Sequence, residues 1–153
     1  GNLLWSVPVR GNGTIDEKEI AILEEIKEWM DVNGQSIYGT RIWKTFGEGP
    51  MAEASNPINA QGFNENNNYS AADIRFVQRN DTVFATTLRY PEGESCTIKA
   101  LGSSSDYYPG KVKNVTLLGH GLVSFMESPA GLVIDLPETK VNELAAVFAI
   151  DFE

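Results

Sequence analysis

The chain is poor in the residues from which most reactive sites are made. Among its 153 residues there is one cysteine, Cys96, and one histidine, His120. A lone cysteine forms no internal disulfide, and one Cys with one His makes no metal-ligand set of recognised spacing. Cys96 stands in the strand-like run Ser95-Cys96-Thr97-Ile98-Lys99. A buried, inert thiol is therefore expected rather than a nucleophile, which would need His120 as its partner. Basic residues are also scarce, 12 against 21 acidic, for a net charge of −9. That balance repels phosphate backbones and anionic lipid, so nucleic acid and membrane surfaces are poor partners. No apolar run approaches the ~18 residues of a membrane-spanning helix. The glycine-rich Gly11-Asn12-Gly13 lacks the Lys and following Ser/Thr of a phosphate-binding loop.

What remains, at 42% apolar content, is enough for the core of one ordinary domain plus an appendage. The chain opens in mid-strand with Leu3 to Val7, stopped by Pro8 and followed by the turn Arg10-Gly11-Asn12-Gly13. Such a start reads as a piece of a longer polypeptide. Asp16 and Glu19 then have the spacing of a capping box, and Asp16, Glu17 and Glu19 suit a helix N-terminus. The spacing predicts a helix over about Glu17 to Val32, with Ile22, Leu23, Ile26, Trp29 and Met30 on one apolar stripe. Asn33-Gly34 predicts a left-handed residue at its end, and Gly39 a second sharp change of direction. Strand, loop and helix make half of a βα unit, and the stripe needs a wall that the unit itself does not supply.

From Gly47 to Ala72 the composition shifts to Gly, Pro, Ser and Asn, as in Gly62-Phe63-Asn64-Glu65-Asn66-Asn67-Asn68, which predicts a long surface loop. After Ala72 the period becomes two. Ile74 and Phe76, the turn Asn80-Asp81, and Val83 to Tyr90 read as a hairpin. Further strands are expected over Cys96–Leu101, Val115–Leu118, Leu122–Met126, Leu132–Leu136 and Ala145–Phe152. Regular short strands with turn signals indicate two packed antiparallel sheets, their edges guarded by Lys99, Lys111 and Lys113. The fold class is thus mainly β, a two-sheet antiparallel sandwich preceded by one amphipathic helix.

Several of these stretches resemble the α-L-fucosidases, retaining glycoside hydrolases with a (β/α) barrel and a C-terminal β-sandwich. Gly1, Asn2, Leu3, Leu4, Val7, Pro8, Arg10, Gly13 and Ile15 match the end of that barrel, while Trp5, Ser6 and Val9 depart from it. Asn33-Gly34, Ile37-Tyr38-Gly39-Thr40-Arg41 and Trp43 match the joint that follows, with departures at Gln35, Ser36 and Ile42. Gly47-Glu48-Gly49-Pro50, Asp73-Ile74-Arg75-Phe76, Thr97-Ile98-Lys99, Val115-Thr116-Leu117-Leu118-Gly119 and Gly131-Leu132-Val133-Ile134 resemble the family's linker and sandwich.

The resemblance implies a division into residues 1–40, a remnant of the barrel's last strand and helix with the joint, then 41–72, a linker and Asn-rich loop, and 73–153, an accessory sandwich. It implies a parent enzyme that hydrolyses α-L-fucosides with retention, acting in an extracellular, periplasmic or lysosomal setting. Its partners would be the upstream barrel and, through the parent, fucosylated glycans. A retaining glycosidase needs two carboxyl groups about 5–5.5 Å apart. The family's pair lies upstream on the barrel, so no catalytic residue and no cofactor is assigned to this chain, and its acidic residues read as a solvated face and turns. The acidic turns leave calcium open.

Tyr107 and Tyr108, between Ser103-Ser104-Ser105 and Pro109-Gly110, are the candidate substrate-binding residues, since aromatic faces stack on sugar rings; core packing or simple exposure is the competing reading. Trp43 is expected to be buried, packing the helix end onto the sandwich. Four Asn-x-Ser/Thr triplets, at Asn12, Asn68, Asn80 and Asn114, matter where the host glycosylates secreted proteins. Two further readings stay open beside the accessory one: an autonomous carbohydrate-binding module, and a structural interaction domain without sugar contact. With the barrel absent, the helix stripe is expected to promote self-association of the fragment.

Overall fold

The acidic run around Asp16 does start a helix. In the computed structural model, which describes residues 6–53 and 68–153, helix α1 spans Glu17–Asn33. Asp16 caps it by accepting the Lys18 amide at 3.0 Å, one residue earlier than the Glu19 amide of the expected box. The Arg10 guanidinium holds the Asp16 carboxyl below its ordinary pKa, and the Lys18 amide helps. At the other end the left-handed residue expected at Gly34 is not found. Gly34 keeps a right-handed φ of −56°, and the chain tightens into a 3-10 turn, Gly34–Ser36. A Cβ at Gly34 would meet the Tyr38 ring at 3.3 Å, a tight contact that this exposed ring can relieve by a small shift. The left-handed reversal comes at Gly39, φ +72°. Residues 1–5 of the expected first strand lie outside the described residues; Ser6 and Val7 are not in a strand, and Val9 bridges Ile15 instead.

Beyond the joint come β1 (Arg41–Glu48), a single helical turn α2 (Pro50–Glu53), β2 (Ile74–Arg79), β3 (Thr82–Thr87), β4 (Ser95–Ile98), β5 (Val112–Leu117), β6 (Gly121–Leu122), β7 (Phe125–Ser128), β8 (Gly131–Asp135) and β9 (Val147–Phe152). They form a six-stranded sheet in the order β1-β2-β3-β9-β5-β6 and a three-stranded one, β4-β8-β7, with antiparallel pairing in both. This is the expected two-sheet sandwich. The β2–β3 hairpin turns at Asn80-Asp81 as read, with Asn80 at φ +53°, a conformation Asn tolerates better than most residues.

Three expectations need correction. Residues 41–48, read as the start of a linker, are the outermost strand of the large sheet. Leu122–Met126, read as one strand, splits into β6 and β7, which belong to different sheets. The Cys96–Leu101 strand ends at Ile98 and turns into a 3-10 segment, Lys99–Leu101. Of the Asn-rich loop, 54–67 lies outside the described residues.

The core between the sheets is built from alternate residues: Ile74 and Phe76, Val83 and Ala85, Phe148 and Ile150, Val115 and Leu117 on one side, with Cys96, Ile98, Leu132 and Ile134 on the other. Trp43 joins them, 5% exposed, its ring 5.1 Å from that of Phe76. It therefore fills the sandwich interior and not the contact with the helix end. That contact is made on the opposite face of the large sheet, where Phe84, Leu118 and Val147 form a second buried cluster beneath Trp29. Arg79 reinforces it, lying over the Phe84 ring and donating to the Tyr38 carbonyl and the Gln35 side chain. Toward its N-terminus α1 stands free: Ile20, Ile22 and Ile26 are 36–41% exposed. Asn33 is its one buried residue.

Two carboxylates tie loops to this frame. Glu48 at the end of β1 accepts the amides of Lys99 and Ala100, at 2.9 and 2.6 Å, and so links the large sheet to the segment that leaves β4. Asp73, fully buried, accepts the Met51 amide and both the amide and hydroxyl of Ser70. Burial alone would raise its pKa. The amides of Ser70 and Met51, the Ser70 hydroxyl and the Arg75 charge outweigh it and hold the carboxyl below the usual range. A depressed folded-state pKa means stability that is present above the unfolded value of about 4 and lost as pH falls through the folded one. Urea unfolding at about pH 7 and about pH 3 should show a larger loss of stability in the wild type than in Asp73→Asn. An equal loss in both would remove Asp73 from the acid-sensitive groups.

Candidate functional site

Three of the described carboxylates that are drawn into the structure, those of Glu48, Asp73 and Glu127, are occupied by backbone donors. Beside Glu48 and Asp73, Glu127 on β7 accepts the Tyr108 hydroxyl at 3.0 Å and the Val112 amide at 3.1 Å. These are charge-assisted bonds that fix loops. A general acid needs the opposite shift from the one Asp73 has. Among the described residues no group of three His, Cys, Asp or Glu side chains could hold a metal ion. Cys96 is 6% exposed, and burial, assisted by the Glu48 charge, pushes its thiol up to about 12. His120 stands exposed in the β5–β6 turn, apart from the core in which Cys96 packs.

The two candidate tyrosines share a loop but not an environment. Tyr108 is half-buried, its hydroxyl spent on Glu127; burial first, and then the Glu127 carboxylate, push its pKa up. Tyr107 is 41% exposed and its ring is tilted 51° against that of Trp43, centroids 6.3 Å apart. Trp43 faces the interior of the sandwich, so the pair lies on the inter-sheet side of β1, whereas α1 packs on the other face of the sheet, over Phe84 and Val147. Beside them a shallow cleft of ≈ 430 Å³ runs between Trp43, Pro109 and the β2–β3 turn, with Lys44, Asp81 and Glu153 on its rim. Lys44 is turned to the Tyr108 carbonyl, and Lys111 is paired with Glu153.

A second cleft, ≈ 580 Å³, separates the C-terminal half of α1 from the segment between β8 and β9, with Trp29, Asn33, Val141 and Leu144 among its walls. Sequence reasoning placed Trp29 on the stripe and saw nothing of the cleft, because Val141 and Leu144 are more than a hundred residues away along the chain. Of the glycosylation triplets, Asn12, Asn68 and Asn80 are exposed and Asn114 is half-buried in β5.

Comparison with known proteins bears on all of this. Residues 66–152 match the model of the alpha-L-fucosidase C-terminal domain. Over 151 residues the chain is 25% identical to an alpha-L-fucosidase of Branchiostoma floridae, covering 97% of the chain and 28% of the relative. Over 149 residues it is 25% identical to the plasma alpha-L-fucosidase of Rattus norvegicus, covering 94% and 27%. Among solved structures, the Thermotoga maritima alpha-fucosidase in complex with fucose superposes with a TM-score of 0.68 at 25% identity, over 98% of this chain and 30% of that one. The same enzyme with a mechanism-based inhibitor gives 0.70 at 24%, over 99% and 30%. The chain thus spans less than a third of the length of the relatives it matches.

The burial and raised pKa of Cys96 make a direct prediction. At about pH 8 the thiol should react with iodoacetamide far more slowly in the native chain than in the urea-unfolded one. Equal rates would mean that the core around β4 opens.

Proposed function

Because the chain belongs to the family of alpha-L-fucosidase C-terminal domains, we propose that it is the non-catalytic accessory region of a longer fucosidase-like glycoside hydrolase, and that α1 joins it to an upstream catalytic barrel. The observation that carries this reading is the divided burial of α1. Its last turns pack on the sandwich through Trp29, while Ile22 and Ile26, on the same stripe, are 39% and 36% exposed, an apolar run that continues past the contact with the sandwich. The occupied carboxylates support a structural role, since each is committed to holding backbone.

For the whole enzyme the substrate would be an α-L-fucoside, hydrolysed with retention by carboxylates outside this chain. The fucose and the mechanism-based inhibitor named with the Thermotoga maritima structures support that substrate class. A setting outside the cytoplasm goes with the same reading, as the word plasma in the rat relative's name suggests.

The apolar flank gives the test. Alone in solution, α1 should cover its flank with a second copy, a contact worth ~25 cal/mol per Å² of apolar area less the cost of association. Sedimentation should show association in the wild type and its loss in Leu23→Glu and Ile26→Glu. Monomers in all three would mean that the flank is no interface.

A second reading, the autonomous sugar-binding module, is favoured by one observation, the exposed face of Tyr107. Such a module also needs convergent polar groups to fix hydroxyls, and Lys44 and Glu153 beside it are engaged with protein partners. On the accessory reading, titration calorimetry with free L-fucose should find no binding tighter than about millimolar, a level worth ~4 kcal/mol. Micromolar binding that vanishes in Tyr107→Ala would favour the module.

A further inference from the structure

Two Asn-Gly pairs occur in the chain, Asn12-Gly13 and Asn33-Gly34. Such a pair has a chemistry of its own, because glycine carries no side chain to shield its amide nitrogen, which can reach the asparagine Cγ and close a five-membered ring. The fold treats the two pairs in opposite ways. Asn33 is 1% exposed, and its Nδ2, the group that would have to leave, donates to the Trp29 carbonyl at 3.0 Å. The Gly34 amide, the nucleophile, is spent on the Met30 carbonyl at the end of α1. Asn12 and Gly13 are exposed, and nothing lies within 4 Å of the place where a Gly13 Cβ would sit. The Asn12 Oδ1 is held by two donors, the Thr14 amide at 3.1 Å and the Thr14 hydroxyl at 2.8 Å. Both point at the atom that becomes negative when a nucleophile adds to Cγ, so they stabilise the charge that develops there. One bond opposes the reaction, since the Gly13 amide donates to the Arg10 carbonyl at 2.8 Å. It belongs to a solvated turn and opens at little cost, whereas freeing Gly34 means unwinding the buried end of α1.

We propose that Asn12 is a site of intramolecular deamidation, a self-modification that consumes only water, and that the fold protects Asn33 from the same fate. The Gly13 nitrogen, losing its proton to water or hydroxide, forms a bond to the Asn12 Cγ. The Cγ–Nδ2 bond breaks, and ammonia leaves with a proton taken from solvent. Water then opens the succinimide at either carbonyl. Breaking the ring bond to Cγ leaves aspartate; breaking the ring bond to the main-chain carbonyl carbon leaves isoaspartate, with the backbone rerouted through the former side chain. Both products disturb the entry to α1. Either one adds a carboxylate to the turn that carries Arg10, whose guanidinium lies 2.7 Å from the Asp16 carboxylate that caps the helix. Isoaspartate also lengthens the main chain by a methylene inside a turn closed by the Arg10 amide on the Thr14 carbonyl, at 2.8 Å, and by the Val9–Ile15 bridge behind it. The first turns of α1, where Ile20 and Ile22 are already uncovered, loosen as the protein ages. The triplet Asn12-Gly13-Thr14 loses its glycan-acceptor nitrogen in the same step.

The test incubates the chain at mildly alkaline pH, native and in urea, and follows the exchange of NH2 for OH at residues 12 and 33 by mass spectrometry of its peptides. A methyltransferase specific for isoaspartate marks the rerouted product. In urea both residues should convert. In the native chain residue 12 should convert within about threefold of its rate in urea, and residue 33 roughly tenfold or more below its own. Thr14→Ala should slow the native conversion of residue 12 severalfold, and Thr14→Ser, which keeps the hydroxyl, should restore it. Amide hydrogen exchange over the first turns of α1 should be faster in the converted fraction than in Asn12→Gln, which does not close the five-membered ring. Native Asn12 surviving while its counterpart in urea converts, Asn33 converting as fast as Asn12, a native rate indifferent to Thr14→Ala, or equal exchange in the converted fraction and Asn12→Gln would each overturn the proposal.

Discussion

The large sheet has two faces to bury, and the rest of the molecule follows from that requirement. In β3 the consecutive residues Val83, Phe84 and Ala85 are all buried, and in β9 so are Val147 and Phe148. A sheet wet on one side would alternate. Here Val83, Ala85 and Phe148 face the three-stranded sheet, and Phe84 and Val147 face α1. The helix is therefore no loose appendage. Its C-terminal half lies over the middle of one side of the sheet, with Trp29 on the cluster and Arg79 clamping the joint behind it. Its first turns reach past the sheet with their isoleucines uncovered. One helix is thus anchored at its C-terminal end and uncovered at its start.

Carboxylates supply the second organising element. Glu48 and Glu127 gather donors from segments distant in sequence, Lys99 and Ala100, Tyr108 and Val112, and Asp73 joins the distant Met51 to its neighbour Ser70. Charge-assisted bonds to backbone amides are stronger than neutral ones and orient the segment as well as hold it. Loops without a hydrophobic face of their own are fixed this way at little cost in core volume. The same commitment removes these groups from chemistry. A carboxylate whose lone pairs already accept two or three protein donors is poorly placed to attack a sugar or to give up a proton.

How much of this could be read from the residues depended on whether the signal was local. The β2–β3 hairpin was legible because Asn80-Asp81 separates two alternating runs, and β8 and β9 because β-branched and aromatic residues cluster between turns. Strand β1 was missed for a physical reason. Its residues 42 to 47 do alternate in burial, but Ile42 and Phe46, 84% and 60% exposed, lie on the outward side, so apolar character does not follow the inward face and the period of two is hidden. Asn33-Gly34 misled because glycine allows a left-handed φ without requiring it, and here the chain keeps a right-handed φ of −56° and tightens into a 3-10 turn. The α1 cleft was invisible, since its walls come from opposite ends of the chain. For the tyrosines, the sequence gives aromatic character but not the Glu127 carboxylate that ties down one of them.

The geometry also bears on whether one upstream body could use both the α1 flank and the Tyr107 loop. The flank lies on the outer side of the large sheet. Tyr107 lies on the inter-sheet side, against Trp43, with the edge strand β1 between them. A body docked on α1 would reach the tyrosine only by wrapping around that edge. The edge is not hostile to such a contact: Ile42, 84% exposed, points outward opposite Val77, and Phe46 holds the Arg75 guanidinium over its ring. An unpaired strand edge with exposed apolar side chains ordinarily invites a neighbour. On the proposed reading, support of a barrel through α1 would be the primary contact, and any share of Tyr107 in substrate binding would depend on how far around β1 the upstream part extended.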